Sequence, residues 1–352
     1  MRIGVSLVFA SCLLSGLAAT SFSYAADPQP GPVPRYKITN TIPLGAPDRW
    51  DLLQFEPAAH RVYIAHGTEI TVIDADKATI IGHVAGLDKA HGVVAVPEIG
   101  RGYADSGATG SILVFDLKTL QPVKTLQGRP DADAMAYDPV TKHILVMNGD
   151  DDSATVIDTA SDSVIATIPL GGGPEFAVAD GHGAVYANIE STSEIVRIDT
   201  ASNTVAARWP IPDCEAPHGL AIDPLARFLF ASCVNSRMLA IDTKDGKVLA
   251  TLPIGKGTDA AAFDPIRHLV FSSNGEGTLS VIAVRDPGSF VALGDVTTLP
   301  GARTMALDHA TGRIFLVTGE VAGEDPPTKP GRPPHFKFTP GSAKLLILEP
   351  GP

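Results

Sequence analysis

Aromatic residues make up only 6% of this chain, charged residues only 19%, and cysteine occurs just three times in 352 positions. No CxxC, CxxCH or Cys/His zinc spacing occurs, which removes covalent haem and structural zinc from consideration. There is no Walker loop, GxSxG elbow, HExxH pair or EF-hand loop, so none of the commonest catalytic or ion-binding signatures applies. Basic residues are also scarce, 27 against 39 acidic ones. A surface of that sign repels phosphate backbones and anionic lipid, so nucleic-acid binding is the weakest functional reading. Long windows rich in Ala, Leu, Glu and Lys are missing, which argues against a helical fold.

What is present begins at the N-terminus. Arg2 precedes an apolar run from Val5 to Ala19, and Ser23-Tyr24-Ala25 follows as a small-x-small cleavage site. This order of charge, apolar run and small residues is that of a secretory signal over residues 1–25. The run is too short for a membrane anchor, and nothing later is apolar and long enough to span a bilayer, so the mature chain carries no transmembrane segment. The expectation is a periplasmic or secreted protein with a mature charge of −13, from 26 basic and 39 acidic residues. Residues 26–35 form a Pro-rich lead-in.

Gly (34) and Pro (29) are abundant, as many short strands joined by tight turns require. One segment recurs seven times, starting at Asp51, His91, Asp133, Glu175, His218, Asp259 and Arg303, with spacings of 40 to 44 residues. Each copy is followed by a second strand such as HILVMN (143–148), a third such as ATVID (154–158) and a fourth such as VIATIPLG (164–171). Asp158, Asp199 and Asp242 end third strands where an Asx-turn is expected. Four strands per forty-odd residues without a helical period predicts an all-β, seven-bladed β-propeller. The first strand of each copy is rich in Ala and Gly, as strands converging on an axis require. The seventh copy has three strands, and Tyr36-KITNTIPLG matches the fourth-strand pattern. The N-terminal strand is therefore expected to pair with the last blade and close a single domain over residues 36–350.

The second strands ending in Asn148 and Asn274, the VID third strands and the following D-T-x-x-x-x-V-x-x-T-I-P-x-G resemble the YVTN-type β-propeller repeat family over about residues 36–349. The other copies carry His66, Ser106, Ile189, Cys233 and Thr318 at the Asn position. The resemblance implies a WD40-like exported propeller. That family mixes exported proteins of unassigned role, surface-layer components and a nucleic-acid binder, with lactone hydrolases among related propellers, so it implies no single function.

Asp51, His91, Asp133, Glu175, His218, Asp259 and Arg303 share one register, so all seven are expected at the mouth of the central channel. Two readings compete. The ring is a ligand pocket, with a divalent metal on His91, His218, Asp51 and His66 as its most specific form, or it is a wet channel lined with solvated and paired charge. A second ring of second-strand ends, including His66, Asn148 and Asn274, is expected on the same face. Trp50 is either a stacking platform there or inter-blade packing. Cys214 and Cys233 fall at one rim of one blade, where the alternatives are a disulfide and a free Cys233 that binds a soft metal with His218. An insertion at 319–342 is either a cover carrying Arg332, His335, Phe336, Lys337 and Phe338 or an extended arm.

These readings support a monomeric binding or scaffold propeller for a small molecule, peptide or protein partner. The alternative is a metal-assisted lactonase or isomerase with His91 or His218 as general base.

Overall fold

A computed structural model describes Met1 and residues 32–285, 288–327 and 334–351. The signal expected at 1–25, apart from Met1, most of the expected lead-in and Arg332 lie outside these residues. The chain divides into Met1–Gly31 and Pro32–Pro352, and the architecture below is that of the second unit.

Seven antiparallel sheets follow one another along the chain and form the blades of a propeller. Blades 2 to 6 each contain four strands in sequence order. In blade 1 the second and third repeat strands run on through Gly67 as one strand, Arg61–Asp74, so the sheet has three elements. Blade 7 is assembled from both ends of the chain. Strand Tyr36–Pro43 pairs antiparallel with Lys344–Pro350, with Ile42 opposite Leu345. No helix among the described residues is long and apolar enough to cross a membrane.

The period of two explains the core. In blade 3, Ile144 and Val146 face blade 2, while Leu145 and Met147 face blade 4. Both faces of a blade are buried, so the inner strands read as nearly unbroken apolar runs. Seven apolar clusters result, one at each boundary between consecutive blades. The cluster between blades 7 and 1 contains Val62, Ile64, Phe315, Val317 and Leu345.

Near the axis, the small residues are a steric requirement. A Cβ on Gly219 would lie 2.5 Å from the backbone of Ala260 and Ala261 in the next blade, and one on Gly92 would lie 2.7 Å from the Asp133 carbonyl. Turns are held as the Asp pattern suggests: Asp158 Oδ1 accepts the Ala160 N–H at 3.1 Å, and Asp199 Oδ1 accepts that of Ser202 at 2.8 Å. Asp138, Asp223, Asp264 and Asp308 do the same at the turns between first and second strands. Cys214 and Cys233 form a disulfide within blade 5, with their Cα atoms 5.2 Å apart.

Candidate functional site

The seven strand-head residues line one cavity of about 260 Å³, together with Arg49, Lys89 and Phe176. Blade order sets each basic side chain of the ring between acidic ones. His91 of blade 2 places Nδ1 2.7 Å from Asp51 Oδ2 of blade 1 and 3.7 Å from Asp133 Oδ1 of blade 3. His218 of blade 5 repeats the arrangement, with Nδ1 3.2 Å from Glu175 of blade 4 and 3.1 Å from Asp259 of blade 6. Arg303 of blade 7 then pairs through Nε with Asp259 Oδ2 at 3.0 Å. Each imidazole thus bridges carboxylates from the blades on either side. Asp133 and Glu175 are the one pair of carboxyl groups on consecutive blades of the ring.

Protonation follows from this layout. Burial opposes the charge on His218, but hydrogen bonds to Asp259, Glu175 and Glu190 outweigh it and push the imidazole up to about 12. Burial also raises Asp259, yet Arg303 and His218 bring it below the usual carboxylate range. At this carboxyl pair, burial followed by the fields of Asp51 and Glu175 pushes Asp133 well up. Burial raises Glu175 too, with His218 offsetting part of the shift.

A linkage prediction follows for His218. Its folded pKa lies above its unfolded value of 6.5, so its contribution is complete below that pH and is lost as pH rises toward about 12. Urea titrations at pH 6, 8 and 10 should show wild type losing stability faster than His218→Gln, by at most about 1.4 kcal/mol per pH unit. Parallel curves for the two proteins would mean that the imidazolium is not held by its neighbours.

The metal set expected from sequence is not assembled. His66 is fully buried in blade 1, where Nδ1 lies 3.0 Å from Thr71 Oγ1 and 3.9 Å from Glu69, and it does not line the ring cavity. Instead, Glu175, His218 and Asp259 bring potential ligand atoms within 4.8 Å of one another. The same His218 nitrogen faces both carboxylates, an arrangement that a proton satisfies directly and that a metal could use only after displacing the proton.

Asn148 and Asn274 lie at the same rim as the ring but do not open onto it. Both are fully buried, and their amides bond within the blade, Asn148 to Ser153 and Thr155 and Asn274 to Thr278 and Ser280. Alternation along a strand explains the burial: consecutive side chains leave opposite faces of the sheet, the terminal residue toward the preceding blade and its predecessor toward the following one. Asp105 accepts the His91 and Gly92 N–H groups, each at 2.7 Å. In the equivalent position, Asn188 Nδ2 bonds the His218 carbonyl at 2.5 Å, and Ser273 Oγ bonds the Arg303 carbonyl. These three hold the backbone behind ring residues. Asn188 and Ser273 escaped notice, although aligning the repeats one position earlier would have found them.

A second cavity of about 370 Å³ adjoins the first and shares Arg49, His218 and Arg303 with it. Its roof comes from the insertion, whose described parts form a hairpin pairing Val321–Asp325 with His335–Phe338. Asp48 anchors the root by accepting the N–H groups of Gly341 and Ser342 at 2.7 and 3.1 Å. Phe338 packs beside Trp50 with ring centroids 4.8 Å apart, and a Cβ on Gly301 would collide with it. Trp50 packs on the cluster between blades 7 and 1 and also lines this cavity. Phe336, Phe338 and His335 line the cavity, while Lys337 pairs with Asp325 at 2.6 Å.

No family model matches the chain, and no curated protein matches it. Solved structures share its fold. A chain of the Kuenenia stuttgartiensis hydrazine synthase superposes with a TM-score of 0.68 at 17% identity, covering 78% of this chain and 92% of that one. The RRP9 WD40 repeats superpose with a TM-score of 0.74 at 11% identity, covering 88% and 97% respectively. A chain of the mitotic checkpoint complex gives 0.70 at 12% identity, covering 94% and 98%. At these identities the likeness is one of fold, the WD40-like seven-bladed propeller.

Proposed function

We propose that this chain is an exported propeller that binds a small ligand, peptide or partner protein at the channel mouth. The observation that carries the reading is the ring cavity, to which every blade contributes one ionisable side chain. A propeller axis can be closed with Ala and Gly alone, and partly buried charge is costly to a fold. Seven such groups at one opening, beside a cavity walled by Trp50, Phe336 and Phe338, form a concave site with convergent polar groups. Export is supported by the order of residues 1–25 and by the Cys214–Cys233 bridge, which suits an oxidising compartment.

A thermal-shift screen of small organic acids, amines and short peptides tests the site. Compounds that raise the melting temperature of the mature protein should lose that effect in Asp259→Asn and Arg303→Gln. Shifts that survive both substitutions would place binding elsewhere.

The second reading is a metal-assisted lactonase or isomerase, favoured by the convergence of Glu175, His218 and Asp259. Elemental analysis of protein purified without chelator separates the two. Stoichiometric metal together with lactone hydrolysis establishes the enzyme, and substoichiometric metal without hydrolysis leaves binding.

A further inference from the structure

We infer that the cavity beneath the hairpin takes a small aromatic carboxylate, an assignment that rests on the mouth being a binding site and adds its ligand class. The first argument is a local inversion of charge. Asp and Glu outnumber Lys and Arg 39 to 27 over the chain, yet among the described residues this cavity is lined by Arg49 and Arg303 against a single carboxylate, Asp48, with the imidazoles of His218 and His335 beside them. Asp48 is already engaged, because its oxygens hold the N–H groups at the hairpin root. His218 brings a charge that Glu175 and Asp259 hold at Nδ1 and Glu190 holds at Nε2.

The second argument is unused donor capacity. Arg303 spends Nε on Asp259, and its two terminal nitrogens have no protein partner among the described residues. Arg49 is exposed and makes no side-chain hydrogen bond or ion pair among them. Guanidinium groups with free N–H edges match the planar, two-oxygen geometry of a carboxylate.

The third argument concerns shape. Trp50, Phe336 and Phe338 present aromatic faces or edges to the same space, which suits a planar apolar body. A volume of about 370 Å³ is at the small end for ligand pockets and favours a compact ring acid over a polymer. The neighbouring ring carries four carboxylates, so a bound anion is steered toward the arginines, with its apolar body toward the hairpin.

Saturation-transfer NMR on the full mature protein, with benzoate, neutral benzamide and cationic benzamidine as probes, tests the assignment. Benzoate should bind at least about ten-fold tighter than benzamide, a difference of about 1.4 kcal/mol. Arg303→Gln and Arg49→Gln should each remove most of that preference, whereas Phe338→Ala should weaken benzoate and benzamide alike. Arg49 lies outside the ring of ion pairs, so its variant keeps the test independent of any folding defect in Arg303→Gln. Benzamide or benzamidine binding as tightly as benzoate overturns the carboxylate assignment and leaves a binding site. Binding that survives all three substitutions places the probe elsewhere and also overturns it. No transfer to any probe in folded wild type overturns the assignment and, with it, the reading of this cavity as a ligand site.

Discussion

Deleting residues 36–44 should remove most of the folding stability of this protein. The segment buries Tyr36, Ile42 and Leu44 to 7%, 6% and 8% exposure, and full burial of an apolar side chain contributes about 1.5–3 kcal/mol. Three such groups amount to about 5–9 kcal/mol, which rivals the whole stability of an ordinary domain. Tyr36 also packs edge-on against Phe271 of blade 6 at 5.5 Å, so the loss extends beyond blade 7. The deletion leaves strand Lys344–Pro350 as an open edge, so aggregation on mild heating is expected as well. Urea unfolding followed by tryptophan fluorescence measures the effect. Ile42→Asp keeps the chain length and should cost several kcal/mol, because it buries an unpaired charge between blades 7 and 1. A deletion variant that unfolds within about 1 kcal/mol of wild type would show that the strand is dispensable for the fold.

The second large effect is expected at Asp105. Its two oxygens each accept a backbone N–H, from His91 and Gly92, deep inside blade 2. Asp105→Ala would orphan both donors, at about 1–3 kcal/mol each. The carboxylate holds its place against burial, which pushes its pKa well up, while the two N–H bonds act in the opposite direction. Asp105→Asn separates acceptor geometry from charge, since it keeps one acceptor and turns an amide toward the other N–H. It should fall between wild type and the alanine variant in urea midpoint. Because the backbone at His91 carries the imidazole that bridges Asp51 and Asp133, the alanine variant should also lose ligand-induced stabilisation. An alanine variant with an unchanged midpoint would mean that water satisfies both amides and that Asp105 does not position His91.

The placement of Asp105, Asn188 and Ser273 shows where reading the repeat reaches its limit. The copies revealed which residues share a register, and the strand-head residues of all seven lie on one cavity. A register says nothing about which face a side chain takes at a strand end, where the pleat turns one residue toward the following blade and the next toward the preceding one. His66, Asn148 and Asn274 were therefore expected to open onto the channel mouth, whereas their side chains are buried and bonded within their blades. The aromatic residues of the insertion were legible as candidates, but their seat was not, because Asp48 and Gly341 stand 293 positions apart.

From sequence alone came the number of blades, the small residues at the axis and the identity of the ring. Each depends on periodicity and side-chain volume, which are local properties copied seven times. Tertiary structure alone decided that each imidazole bridges carboxylates from both neighbouring blades. It also decided that the opening divides into a ring of bases set between acids and a cavity lined by Arg49, Arg303 and aromatic side chains. Those outcomes depend on the rotation of one blade against the next, and that rotation is set by packing between residues that no local pattern connects.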